Sequence, residues 1–187
     1  MFQIDLNTKD RFGLTTFLLA CSNGFLNIVE MFIDNLLEFD IELNSKDNGD
    51  NTVLHWTLDL NVAEILVQNH AVFNLDLNEK NNAGQTAFHS FCENSESSVA
   101  ALLLRKSWEF DIDISMKDNQ GETALHYHSF WKNQRIVEII KEYLDLLNFD
   151  LLASDSNGTT IFQIAEQFGE TEVVNLLKRR LSNTLNF

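Results

Sequence analysis

Histidine and cysteine are the side chains that most often bind zinc in proteins. His55, His89 and His126 recur at intervals of 34 and 37 residues, and the two cysteines, Cys21 and Cys92, lie far apart. The sequence contains neither an HExxH motif nor a cysteine pair at zinc-ligand spacing. It therefore predicts no metal site and no cofactor.

Catalytic motifs are also missing. The chain has no GxGxxG after a strand, no P-loop and no GxSxG. Its carboxylates recur at turn positions, where capping of backbone N–H groups explains them. The sequence predicts a protein that is not an enzyme.

The chain is strongly acidic, with 28 acidic and 13 basic residues and a net charge of −15 over 187 residues. Such a surface repels phosphate groups, so we expect binding neither to nucleic acid nor to an anionic membrane. Two interpretations of the charge remain: a solvated acidic surface, or a field that favours basic partners.

The sequence shows no sign of export. Two cysteines are too few for a disulfide-stapled fold, and we expect both to be buried. The N-terminal residues MFQIDLNTKDR lack a basic region followed by an apolar run. No apolar run approaches the roughly 18 residues that span a bilayer. We expect a cytoplasmic, soluble monomer.

One sequence unit occurs five times and positions these residues. The units are anchored at steps of 37, 34, 37 and 37 by Asp10, Asp47, Asn81, Asp118 and Asp155. Glycine follows three residues later in every unit but the second, which has Asp50. Five residues after the anchor comes a threonine: Thr15, Thr52, Thr86, Thr123 and Thr160.

Each unit predicts a turn followed by two helices. Asp or Asn before Gly favours a turn, and the Thr is typical of a helix N-cap. A first helix of about two turns follows, and then a second apolar run with residues at i, i+3 and i+4, as in Val62–Leu66. In the second unit the loop between helices is shorter, which predicts a tight turn at Leu60-Asn61.

A third element alternates apolar and polar residues over five positions. It comprises Phe39–Leu43, Phe73–Leu77 and Phe110–Ile114, and its period of two predicts a short extended arm with one buried face. Because one helix pair cannot cover its own apolar face, we expect the units to stack in an all-α solenoid with extended hairpin arms. The predicted repeat array covers 1–181, with units near 10–46, 47–80, 81–117, 118–154 and 155–181, a partial unit at 1–9 and a tail at 182–187.

The repeated motif resembles that of ankyrin repeats, whose signature is T-P-L-H-x-A. Thr123-Ala124-Leu125-His126, Thr86-Ala87-Phe88-His89 and Thr52-Val53-Leu54-His55 match it except at the Pro position. The resemblance implies a protein–protein interaction scaffold without catalysis. It also implies that the motif histidine bonds to the turn of the neighbouring repeat.

The resemblance places partner binding on a concave surface made by the turn tips and the first helices. It implies tip contacts at Arg11, Phe12, Asn48, Asn82, Asn119, Gln120, Ser156 and Asn157. It implies helix contacts at Ser22, Asn23, Glu93, Asn94, Phe130, Trp131, Gln167 and Phe168.

Phe130 and Trp131 are the most individual of these residues. Most units have polar residues in this part of the first helix, and exposed aromatic residues at the centre of a surface are typical of binding hot spots. The alternative is that they belong to the core.

Two other roles remain open for the array. Asn7, Asn44 and Asn78 lie three residues before an anchor, where asparaginyl hydroxylation of ankyrin repeats occurs, so the chain could be a modification substrate. It could also be a structural spacer within a longer protein.

Overall fold

The computed structural model describes residues 5–93, 97–127, 134, 137–138, 141 and 153–184. Within these ranges the regular secondary structure is helical, and the β-type pairs are isolated antiparallel bridges, Lys117 with Thr123 and Ser154 with Thr160. The helices are α1 Thr16–Ser22, α2 Leu26–Asp34, α3 Leu36–Phe39, α4 Val53–Trp56, α5 Leu60–Gln68, α6 His70–Phe73, α7 Ala87–Glu93, α8 Ser97–Lys106, α9 Ile161–Gln167 and α10 Thr171–Thr184. A 3-10 helix, Ala124–His126, follows the anchor turn of the fourth repeat.

The chain forms two compact units, Met1–Ala87 and Phe88–Phe187. In the first unit, α1 packs against α2 and α4, and α2 packs against α5. In the second unit, α9 packs against α10 and the 3-10 helix. These contacts between successive helix pairs confirm the predicted all-α repeat fold.

The core consists of the apolar faces of these helices. Phe17 and Leu18 of α1 are buried, and the Phe17 ring meets Phe32 of α2 edge-on with centroids 6.1 Å apart. Val29 and Phe32 lie three residues apart on one buried face of α2, as the helical spacing predicts. Cys21 and Cys92 are buried, as expected, and no disulfide joins them.

The anchor turns have one geometry in all five repeats. In the first, Asp10 Oδ1 accepts the N–H groups of Phe12 and Leu14 at 2.8 and 2.9 Å, and the Asp10 N–H donates to the Leu14 carbonyl at 3.0 Å. The same side-chain bonds recur at Asp47, Asn81, Asp118 and Asp155. The anchor carboxylate or amide thus satisfies turn N–H groups that would otherwise need water.

The predicted threonine caps are present. The hydroxyls of Thr15 and Thr160 accept the N–H of Leu18 and Gln163, each at 3.3 Å. Thr52 and Thr123 begin their helices in a capping box with the histidine three residues later.

First helices of two turns occur in the first, third and fifth repeats. α1, α7 and α9 have seven residues each, whereas α4 has four, so the predicted length is wrong for the second repeat. In the fourth repeat a 3-10 helix of three residues follows the cap, and residues 128–133 lie outside the described ranges. In the second and fourth repeats, an aromatic side chain at or next to the helix end bonds back to the anchor. Trp56 Nε1 donates to Asp47 Oδ2 at 2.9 Å, and the Tyr127 hydroxyl donates to Asp118 Oδ2 at 2.8 Å.

The turn predicted at Leu60-Asn61 is also misplaced. α5 begins at Leu60, and the loop that precedes it ends at Asp59. The Asp59 carboxylate caps this helix by accepting the N–H groups of Asn61 and Val62 at 3.0 and 3.1 Å. This cap allows helix α5 to start after a loop of only three residues.

The five-residue extended arms begin later than predicted. Phe39 and Phe73 are the last residues of α3 and α6, and a residue in the left-handed region follows each, Asp40 with φ 50° and Asn74 with φ 52°. The non-helical segments therefore start at Ile41 and Leu75. The end of a helix followed by a left-handed residue gives the same alternation of buried and exposed residues as a strand. The sequence pattern therefore does not distinguish the two.

Candidate protein-interaction surface

The turn tips of consecutive repeats are joined by backbone hydrogen bonds. The N–H of Asn48 donates to the Phe12 carbonyl at 3.0 Å, and the N–H of Asn82 donates to the Gly49 carbonyl at 2.9 Å. In the second unit the Ser156 N–H donates to the Gln120 carbonyl at 3.2 Å. These bonds hold neighbouring tips in a fixed register, so their side chains form a preorganised surface.

We call the exposed side chains of Arg11, Phe12, Asn48 and Asn82 the tip surface of the first unit. The Phe12 side chain is 54% exposed, and the Arg11 guanidinium carbon lies 4.5 Å from the centroid of its ring. The Asn48 amide donates to the Arg11 carbonyl at 3.0 Å. This arrangement presents an aromatic ring and a cation together, a pair enriched in binding hot spots.

The predicted tip residues of the second unit are exposed as well. Asn119, Gln120, Ser156 and Asn157 all lie at the surface. The Asn157 N–H donates to Asp155 Oδ1 at 2.9 Å, so its backbone belongs to the turn while its side chain faces solvent.

The predicted helix residues have varied environments. Asn23, Glu93 and Gln167 are exposed, Ser22 is half-buried, and Phe168 is half-buried as the C-cap of α9. Phe130, Trp131 and Asn94 lie outside the described residues.

Two exposed apolar residues on the first helices were not predicted. Leu19 in α1 and Trp56 in α4 are the residues nine positions after their anchors, and both are exposed although α1 and α4 pack together. Comparing this position across the five units would not have identified them, because Ser90, Tyr127 and Ile164 at the same position are buried.

The repeated histidines connect each repeat to the next turn. His55 Nδ1 accepts the Thr52 N–H at 3.2 Å, so its proton is on Nε2, which lies 2.9 Å from the Gln85 carbonyl. His126 has the same arrangement, with the Thr123 N–H at 3.1 Å and the Ala153 carbonyl at 3.3 Å. Burial lowers the pKa of both histidines, which keeps them neutral.

The described residues show no group of three or more His, Cys, Asp or Glu side chains that could hold a metal ion. Each histidine of the repeated motif is instead used in a hydrogen bond between repeats, including His89, whose Nε2 lies 3.3 Å from the Glu122 carbonyl.

A comparison with protein-family models agrees with this geometry. The model described as ankyrin repeats, in three copies, matches residues 2–76 and 59–146, which together cover more than half of the chain. The chain belongs to the ankyrin repeat family. A search of curated proteins gave no match.

Membership of the ankyrin family explains the hydrogen bonds described above. The threonine and histidine of the T-x-L-H motif close the helix N-terminus and bond to the next turn, which is the role that the resemblance implied. Ankyrin repeats are generally protein–protein interaction modules and are typically non-enzymatic. None of the helices in the described ranges is both long and apolar enough to cross a membrane.

Lysines before the anchors form a second set of contacts between ankyrin repeats. Lys9 Nζ donates to the Lys46 carbonyl at 2.6 Å, and Lys117 Nζ donates to the Ser154 carbonyl at 2.9 Å. Lys46 pairs with Glu79 at 2.6 Å, and its hydrogen bond to that carboxylate raises the pKa of Lys46. Lysine precedes the anchor in four units, a regularity that could have indicated this role.

Two of the three asparagines proposed as hydroxylation sites make contacts between repeats. Asn7 donates to the Asp40 carbonyl at 2.5 Å and accepts the Glu42 N–H at 3.0 Å. Asn44 donates to the Phe73 carbonyl at 3.2 Å. Asn78 is half-buried, and its N–H donates to Asp76 Oδ1 at 2.8 Å. These bonds show a structural role for the first two, and hydroxylation stays a prediction.

Proposed function

We propose that this ankyrin chain is a scaffold that binds a protein partner through the tip surface and the adjoining first helices, the surface predicted to be concave. The observation that carries the proposal is the exposed Arg11–Phe12 pair, held in place by the backbone bond from Asn48. An aromatic side chain 54% exposed on a rigid tip adds little to the core and is positioned to enter a partner's pocket.

The partner class follows from charge. Residues 1–87 contain 13 acidic and 4 basic residues, so the first unit attracts cationic proteins and repels nucleic acids. We propose a cytoplasmic location, because the chain has two cysteines, too few for a disulfide-stapled secreted fold. We also propose that it acts as a monomer, since its net charge of −15 opposes self-association.

Affinity capture from cell extract tests this function, with the full chain as bait beside its Phe12→Ala variant. A direct partner should bind the wild type and lose about thirtyfold or more in affinity with Phe12→Ala, the effect of truncating a hot-spot aromatic residue. The purified pair should show this loss by calorimetry, with no change in thermal melting because Phe12 is exposed.

Leu58→Ser is the matched control, because Leu58 is an exposed apolar residue between α4 and α5, away from the tips. Equal binding by wild type and Phe12→Ala would contradict a role for the tip surface. Phe130→Ala and Trp131→Ala extend the test to the residues predicted as hot spots. If no variant affects any partner, the spacer interpretation is favoured.

A further inference from the structure

A helical turn follows the second helix in three consecutive repeats. It ends with a backbone hydrogen bond across six residues: Ile41 N–H to Leu36 O at 3.1 Å, Leu75 N–H to His70 O at 2.8 Å, and Ile112 N–H to Ser107 O at 3.0 Å. The residue before each donor is in the left-handed region: Asp40, Asn74 and Asp111. The turn accounts for residues that lengthen these units beyond the 33-residue ankyrin period.

These turns present the most exposed large apolar side chains of the described residues. Leu37 is 99% exposed, Trp108 is 86% exposed and Val72 is 81% exposed, and the next most exposed, Phe12, reaches 54%. Leu37 and Trp108 each lie two residues before the phenylalanine of their turn. In the first unit, Leu37 and Val72 add little to the core at this exposure, and exposed apolar patches mark sites of interaction.

An open groove of about 460 Å³ lies between the turns of the first two repeats, α3 and α6. Its apolar lining is made by Leu36, Ile41, Leu43, Val72 and Phe73. Glu42, Asn44 and Ser45 provide the polar side, where the Ser45 hydroxyl donates to Glu42 Oε2 at 3.1 Å. The groove thus combines an apolar floor with a carboxylate at its edge.

The segment that lines the groove carries charge of one sign. Residues 36–45 contain three carboxylates and no lysine or arginine, and Lys46, the next residue, pairs with Glu79. The three carboxylates are exposed: Glu38, Asp40 and Glu42. Carboxylates of one sign beside an apolar floor attract cationic side chains to the groove.

We propose that the groove between α3 and α6 binds a cationic amphipathic segment of a partner protein. The segment would bury an aliphatic or aromatic side chain against Val72 and Phe73, and its Lys or Arg side chains would pair with Glu42 and the turn carboxylates. A second copy of this chain is a poor occupant, because two chains of net charge −15 repel each other. The site is separate from the tip surface and does not depend on it.

Binding of a labelled Leu–Lys amphipathic peptide to the full chain, measured by fluorescence anisotropy, tests the proposal. We expect the peptide to bind and its Leu–Glu counterpart not to bind. Val72→Ser should weaken binding about tenfold, the loss expected when one aliphatic side chain is no longer buried. Glu42→Gln, which keeps the hydrogen bond from Ser45 and removes the charge, should weaken binding and reduce its dependence on salt.

The matched controls are Leu58→Ser and Glu30→Gln, which remove an exposed apolar side chain and an exposed charge of the same unit outside the groove. Both should bind like the wild type, as should Phe12→Ala, whatever the outcome for the tip surface. Equal weakening by the control and groove variants would overturn the proposal in favour of nonspecific attraction. A concentration-dependent dimer that Val72→Ser abolishes would overturn it in favour of a second copy.

Discussion

Asp47 shows how single side chains connect parts of one repeat. Burial by itself raises the pKa of this carboxyl, but hydrogen bonds from Asn51, the Trp56 indole and the Gly49 N–H outweigh burial, and the pKa is lowered. The folded state therefore favours the charged form. The resulting stability is present above the unfolded pKa of about 3.9 and is lost as pH falls through the lower folded value.

Trp56→Phe should weaken this carboxylate site. Removing the indole donor leaves a buried carboxylate with one bond fewer, so we expect a loss of about 1–2 kcal/mol in the free energy of unfolding at neutral pH. The loss should shrink as pH falls toward the lowered pKa of folded Asp47, where the carboxylate becomes protonated. Urea unfolding at neutral pH and along an acid series measures this, with the exposed Trp108→Phe as control. A loss that stays the same throughout the series would assign the effect to packing alone.

Asp50→Gly should stabilise the protein. Asp50 has φ 60° where the other four repeats have glycine, and a Cβ in the left-handed region is unfavourable. We expect a gain of up to about 1 kcal/mol, partly offset by the entropy of an unfolded glycine, and a higher melting temperature.

Gly13→Ala is the converse control for that gain. Its φ is 84°, and its added Cβ would lie 2.6 Å from the Asn48 nitrogen, so it should destabilise the tip contact. If Asp50→Gly leaves the free energy of unfolding unchanged or lowers it, the Asp50 carboxylate stabilises the folded state enough to offset its unfavourable backbone conformation.

The buried histidine caps make the helix starts sensitive to pH. Since burial lowers the pKa of His55 and His126 in the folded state, their contribution is complete above the unfolded pKa of about 6.5 and decreases as pH falls below it. In the fifth repeat Gln163 occupies the same position and accepts the Thr160 N–H at 2.8 Å. A glutamine can therefore make this cap without titrating.

The double variant His55→Gln/His126→Gln should flatten the pH dependence of stability. Between about pH 7 and pH 5 the wild type should lose unfolding free energy, and the variant should lose less of it. Chemical denaturation across this range measures the difference. Wild type and variant with the same slope would show that other groups control the pH dependence.

The elements of each repeat were predictable where a local residue determines them. Asp10, Gly13 and Thr15 form their turn and cap with neighbours in sequence, so spacing alone indicated them. The short α4 was not predictable, because Trp56 bonds to Asp47 across nine residues. The helical turn ending at Phe39 was missed because its alternation also fits a strand.

The candidate site was only partly predictable. Arg11 and Phe12 followed from the family resemblance, since tip position is a property of the motif. The groove between α3 and α6 requires knowing which residues of two repeats meet, and the exposure of Leu37 and Val72 depends on that packing. A sequence pattern gives the position of a residue along the chain, but it does not give the repeat against which that residue packs.

Across the whole molecule, negative charge is in excess and is mostly not neutralised by ion pairs. The 28 acidic residues exceed the 13 basic ones throughout the array, and the pairs Lys46–Glu79 and Lys106–Glu109 neutralise only a small part of the excess. Repulsion among the remaining carboxylates opposes the compact state. The same field that selects cationic partners therefore costs stability when no partner is bound.

Salt should accordingly stabilise the free protein. Raising NaCl from about 0.01 M to about 0.15 M shortens the Debye length from about 30 Å to about 8 Å and screens the repulsion. We expect the melting temperature to rise by about 2–4 °C, which corresponds to roughly 1 kcal/mol for a domain of this size. The variant Glu30→Gln/Asp34→Asn/Glu38→Gln, which removes three exposed charges, should start higher at low salt and gain less. A melting temperature that falls with salt would show that surface ion pairs outweigh the repulsion, because salt weakens such pairs.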